Sequence, residues 1–189
     1  AITDFPKITG KGISVAVIDT GIDYNLPTLG GGFGAGHKVV AGYDFYSNDS
    51  DPMDESGHGT NTAGVIAANP FTVNGITYQG VAPGAKLVAL RVGTETNIPD
   101  SNVKEALDWV LKNYKTYSIG VVNLSLGSGN YTTASTDSTY TSEFKQLHDL
   151  GIFVTAASGN SQDANVGPIS QDGVSYPAAD PNVFAVGAV

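Results

Sequence analysis

The stretch Ile13-Ser14-Val15-Ala16-Val17-Ile18-Asp19 decides how this chain is read. It is short, rich in β-branched residues, and shows no alternation of polar and apolar positions, which marks a strand buried on both faces. It ends on a carboxylate, Asp19. Working outward, similar runs recur at Lys38–Tyr43, Lys86–Val92, Gly120–Leu124, Ile152–Ala156 and Val183–Val186. Helical patterns lie between them. Asp100 or Ser101 can cap a helix whose apolar positions Val103, Ala106, Leu107, Val110, Leu111 and Tyr114 repeat with helical spacing. A second amphipathic helix spans Ser142–Leu150 and is closed by Gly151. Strands alternating with helices predict an α/β fold: three layers, a mainly parallel sheet with helices on both faces.

The bulk properties bound what such a fold does. The 189 residues suffice for one domain with a core. With 41% hydrophobic and 14% charged residues, the chain fits a compact, loop-rich extracellular enzyme better than a disordered one. A net charge of −9 and a pI near 4.5 argue against nucleic acid or an anionic membrane as partner. Without cysteine there is neither a disulfide framework nor a thiolate metal site. Ala1–Phe5 lacks the basic start and apolar centre of a signal peptide, and no later run is long enough to span a bilayer. The glycine-rich stretch Gly30–Gly36 nearly spells a dinucleotide fingerprint, but it precedes a strand instead of joining a strand to a helix, so it reads as a surface loop.

Chemistry concentrates at strand ends and at one histidine. In the stretch Asp54–Ala68, reading DESGHGTNTAGVIAA, His58 stands between Gly57 and Gly59 at the start of a small and apolar run. Glycine on both sides lets other backbone pass close to the ring. A histidine aimed into a cleft from a helix start is a candidate general base. Ligands of parallel sheets bind beyond the carboxyl ends of the strands, where Asp19, Ser125 and Asn160 stand. A carboxylate bonded to one imidazole nitrogen leaves the other to take a proton, and an amide NH₂ can donate to a forming oxyanion. A lone histidine is more often structural, and His37 and His148 are read that way. Phosphoryl transfer from a strand-end aspartate would want a second carboxylate two residues on, where Gly21 stands.

Five blocks in this order resemble the signatures of the subtilisin-like serine proteases. They are Val17–Gly21, Gly57–Thr60 with Ala63-Gly64, Gly80–Pro83, Asn123–Gly127 and Ser158–Asn160. The resemblance implies that Asp19 orients His58, that His58 acts as base and then acid, and that Asn160 donates to the oxyanion; the triad logic is that family's own worked case. It further implies that Ser125, Leu126 and Gly127 pair with the substrate backbone, with Ala157, Ser158 and Gly159 as the opposite wall. Thr94–Pro99 stands where the family has a second, glycine-rich substrate strand, and Pro99 has no N–H to offer there.

The family's nucleophile opens a central helix in a Gly-Thr-Ser block, and Gly-Thr-Ser does not occur here. The expectation is therefore a truncated, partial catalytic domain over residues 1–189, inactive by itself, from a secreted endopeptidase acting on polypeptides. The other reading is a catalytically silent module that binds peptide or protein. No cofactor is needed for the chemistry. The acidic stretch Tyr43–Glu55 resembles a calcium loop of thermitase-like members, with Asp44, Asp49 and Asp51 as its ligands. Loss of the central helix predicts an uncovered sheet face and self-association through it.

Overall fold

The computed structural model describes residues 8–135, 139–160 and 173–187. Ala1–Phe5, and the last two residues, Ala188 and Val189, lie outside this set. The stretch that opened the reading is β1 (Ser14–Asp19), every residue of it buried. It lies inside a six-stranded sheet with β2 (Val39–Asp44), β5 (Lys86–Arg91), β6 (Ile119–Leu124), β8 (Phe153–Ala157) and β10 (Phe184–Val186), in the order β10-β8-β6-β1-β5-β2. All five pairings are parallel. Strand ends differ from expectation by a residue or two. The consequential shift is that β2 runs through Asp44, which becomes a buried strand end and not a loop residue.

Helices cover both faces, as the alternation predicts. One face, built from Ala16, Ile18, Val88, Leu90, Val122, Leu124, Val154 and Ala156, packs against α2 (Asp100–Tyr117) and α3 (Thr141–Asp149). Val103, Ala106, Leu107 and Val110 of α2 are buried there, with Phe144 and Leu147 of α3. The N-cap of α2 is Pro99, not Asp100 or Ser101. Proline fits that place because its fixed φ suits entry into a helix, and Asp100 then stands in the first turn, where the helix dipole favours a negative charge. Gly151, at φ 74°, follows α3 as read.

The other face uses the alternate residues Val15, Val17, Leu87 and Ala89, packed against Ala63 and Ala67 of α1 (His58–Ala67) and against Ile22 and Leu29. Two small antiparallel pairs complete the described structure: β3 (Phe71–Val73) with β4 (Ile76–Tyr78), and β7 (Ser128–Tyr131) with β9 (Val174–Tyr176). Neither was expected, since both consist of runs of three or four residues. Gly30–Gly36 forms turns leading into β2, with positive φ at Gly30, Gly31, Gly34 and Gly36, as a surface loop requires.

Candidate active site

The parallel order places the ends of β1, β6 and β8 side by side at one edge of the sheet. Asp19 closes β1, Ser125 follows β6, and Asn160 lies just beyond β8. From the other face, α1 brings its first residue, His58, to the end of β1. The His58 Nδ1 and Asp19 Oδ1 are 2.7 Å apart. The carboxylate side chain is 2% exposed and the imidazole 46%, so the carboxylate is sealed while the imidazole is open to solvent.

Glycine makes this approach possible. A Cβ on Gly59 would come within 2.2 Å of the Gly21 carbonyl oxygen and 3.1 Å of Asp19 Oδ1. One on Gly21, at φ 107°, would meet Pro52 O at 2.7 Å and Asp54 N at 2.9 Å. Three segments therefore meet at van der Waals distance only because two of them carry no side chain there. Asp19 Oδ1 also accepts the Thr20 N–H at 2.7 Å.

The electrostatics follow from burial and pairing. Burial pushes the Asp19 carboxyl above its ordinary range, while the bonds from His58 and from the Thr20 N–H pull it back. The hydrogen bond to Asp19 pushes the His58 imidazole up, against its own burial, and the charges of Asp19, Glu95 and Asp54 act in the same upward direction. A histidine bonded through Nδ1 keeps Nε2 for proton transfer.

The two stretches expected to form the substrate walls lie side by side. Ser125–Gly127 and Ala157–Gly159 leave the sheet from the neighbouring strands β6 and β8, whose Leu124 and Ala156 are paired. Asn160 is exposed at the end of the second wall. The reading missed Ser175, which sits between the two walls. A Cβ on Gly127 would lie 3.1 Å from Ser175 Cβ, one on Gly159 would lie 2.4 Å from Ser175 Oγ, and the Ser175 N–H donates to Ser158 O at 2.9 Å. No local signal could have found it, because β9 reaches this position through pairing with β7. Thr94–Asn97 folds back on itself, with Thr94 N–H donating to Asn97 O at 2.9 Å. A Cβ on Gly93 would strike Asn97 O at 2.2 Å. Among the described residues no serine hydroxyl is hydrogen-bonded to the His58 ring; the Ser125 Oγ instead accepts from Asn123 Nδ2 at 2.9 Å.

The residues expected to bind calcium form no metal-binding cluster of side chains. Asp44, Asp49 and Asp51 are not gathered around a common point, and no group of three or more His, Asp or Glu side chains among the described residues is placed to hold a metal. Asp44 Oδ2 pairs at 2.9 Å with Nη1 of Arg91, whose Nη2 reaches Glu55 Oε2 at 2.7 Å. Asp44 Oδ1 accepts the N–H groups of Tyr46 and Ser47. Asp49 accepts Asp51 N–H, and Asp51 accepts Met53 N–H and the Tyr24 hydroxyl. The guanidinium thus supplies the positive charge facing Asp44 and Glu55, and Asp49 and Asp51 take no part in that pair.

A model of the subtilase family matches residues 10–189. A thermophilic serine proteinase of Bacillus sp. (strain AK1) is 36% identical over 196 residues, covering 99% of this chain and 41% of that protein. Subtilisin BL of Lederbergia lenta is 36% identical over 182 residues, covering 96% of this chain and 57% of that protein. The crystal structure of a cold-adapted subtilisin-like serine proteinase superposes with a TM-score of 0.72 at 32% identity, over 97% of this chain and 57% of that one. A protease of Pseudoalteromonas arctica gives 0.74 at 26% identity, over 99% and 59%. The chain thus spans about half the length of the relatives it matches. With the family's model covering all but the first nine residues and the fold matching solved members throughout, the chain belongs to the subtilase family.

Proposed function

We propose that this chain carries the base and orienting carboxylate of a secreted serine endopeptidase, which cleaves polypeptides through an Asp-His-Ser triad whose serine lies outside these 189 residues. The observation that carries the reading is the 2.7 Å bond between His58 Nδ1 and the buried Asp19. Asp19 holds the tautomer and supports the imidazolium; His58 Nε2 takes the serine proton and then delivers it to the leaving amine. The Asn160 side chain donates to the oxyanion, and the substrate lies as an added strand along Ser125–Gly127, facing Ala157–Gly159. The proposed chemistry calls on side chains alone. The net charge of −9 fits a polypeptide partner better than nucleic acid or an anionic membrane. No described helix is long and apolar enough to cross a membrane.

By itself the chain is then inactive. Fluorophosphonate labelling tests both halves of the proposal. A longer protein that carries the serine labels, and His58→Ala abolishes the label; the 189-residue chain neither labels nor hydrolyses casein. Failure of the longer protein to label would favour a silent peptide-binding module. Hydrolysis by the short chain would overturn its proposed inactivity.

A further inference from the structure

The Asp19–His58 bond joins the end of one element to the start of another, so it holds only if β1 and α1 stay in register. No side chain caps α1 at Gly57, whose φ is 102°. The carboxylate of Asp54 takes that place from outside the helix. Its Oδ1 accepts the N–H groups of Ser56 and Gly57, each at 2.9 Å. Its Oδ2 accepts the Thr60 N–H at 2.9 Å and the Thr60 hydroxyl at 2.5 Å. On the strand side, Oδ1 also accepts the Thr20 hydroxyl at 2.9 Å.

Each threonine hydroxyl has a single proton, and both are given to Asp54. Their lone pairs are thereby turned toward the opposite element. Thr20 Oγ1 accepts Gly59 N–H of α1 at 2.9 Å, and Thr60 Oγ1 accepts Asp23 N–H beyond β1 at 2.9 Å. Two reciprocal bridges thus cross the joint, and both depend on an acceptor-only group at position 54.

We propose that Asp54 is a positioning residue for His58: acting through the Thr20 and Thr60 hydroxyls, its carboxylate clamps the start of α1 to the end of β1 and sets a fixed negative charge beside the imidazole. The geometry of the clamp stands without any functional reading; its bearing on catalysis rests on the proposed role of the Asp19–His58 pair. Burial pushes the Asp54 carboxyl up, but the bonds from Thr60, Gly57 and Ser56 outweigh it and hold the group below its ordinary range. It is therefore ionised throughout the titration of His58. The charged groups acting on His58 are Asp19, Glu95 and Asp54, all favouring its protonated form. An amide cannot replace this carboxylate, because whichever oxygen becomes NH₂ then confronts donors.

The test uses the 189-residue chain with labelled histidine, read by NMR, in Asp54→Asn and Thr20→Val. In the unaltered chain the His58 Nδ1–H is expected to give a slowly exchanging signal. Asp54→Asn is expected to lose that signal and to lower the His58 titration midpoint. Thr20→Val removes one bridge but keeps the charge, so it speeds Nδ1–H exchange with less movement of the midpoint. A folded Asp54→Asn with either the midpoint or the Nδ1–H signal unchanged overturns the proposal. Should Asp54→Asn fail to fold by circular dichroism, Thr20→Val and Thr60→Val decide, and unchanged Nδ1–H exchange in both overturns it. In a longer, serine-bearing protein Asp54→Asn is expected to lower kcat on the order of 100-fold with little change in KM. If that protein never labels with fluorophosphonate, the protease reading fails while the NMR result for Asp54 still stands or falls on its own.

Discussion

The two faces of the central sheet are built from alternate residues of the same strands, yet they end up in different states. On the face under α2 and α3, Val122, Leu124, Val154 and Ala156 are buried all the way across β6 and β8. On the opposite face α1 covers β1 and β5, and the cover stops there among the described residues. Beyond it Phe153 is 52% exposed, Phe184 58% and Val186 49%, with the two phenylalanine rings 5.4 Å apart. Apolar side chains stand on both sides, although the open side also carries Asn123 and Thr155, which are hydrogen-bonded to each other. Burial, then, is decided by whether a helix is present to cover the strands and not by the strands themselves. The relatives, of which this chain spans about half, are longer chains.

The contrast can be broken most severely on the covered side. Phe144 of α3 is fully buried, and Phe144→Ala is expected to cost about 3–5 kcal/mol in urea unfolding. A loss under about 1 kcal/mol would mean that this face is not the sealed one. Neighbouring residues on β8 give a sharper contrast. Val154→Ala, on the covered face, should lose about 2 kcal/mol, whereas Phe153→Ser, on the open face, should change stability by less than about 0.5 kcal/mol. We further propose that the open patch drives self-association, so Phe153→Ser should shift sedimentation toward monomer; equal effects of the two substitutions on stability would erase the distinction between the faces. The smallest effect concerns α1, the cover of the second face. Because the folded His58 is raised above its ordinary 6.5 by the bond to Asp19, its contribution is fully present below the unfolded value and fades as pH rises through the folded midpoint. Thermal scans should therefore show the stability gap between the unaltered chain and His58→Gln narrowing from about pH 5 to about pH 9. A gap that widens over that window would reverse the sign.

How much of this was legible depends on the range of the interaction. The buried strands and the α2 face could be read because burial repeats locally, with a period that sequence displays directly. The pairing of Asp19 with His58 was legible for a different reason: strand ends and a glycine-flanked histidine suggest a shared cleft, and it is the resemblance of the blocks around them that implies the pair. Asp54 opens the stretch around His58 but gave no sign of its role, since that role lies in bonds to Thr20 as much as in bonds to its own helix. The ion pair of Asp44 could not be read, because nothing local announces Arg91, which arrives from a neighbouring strand to neutralise it. Ser175 is placed by an antiparallel pair of short segments, too brief for any periodicity to register.

The strand order carries a kinetic consequence. β1 sits between β5 and β6, so the earliest of these strands pairs with residues 86–91 and 119–123 and with no strand near it in sequence. Each of these closures must bring distant segments together before any ladder forms, and its entropy is spent before contacts can compensate. A chain emerging from the ribosome would thus hold β1 without a strand partner until β5, the third of the six strands, had been synthesised. Slow refolding, on the millisecond-to-second scale of non-local topologies or slower, is the expected signature.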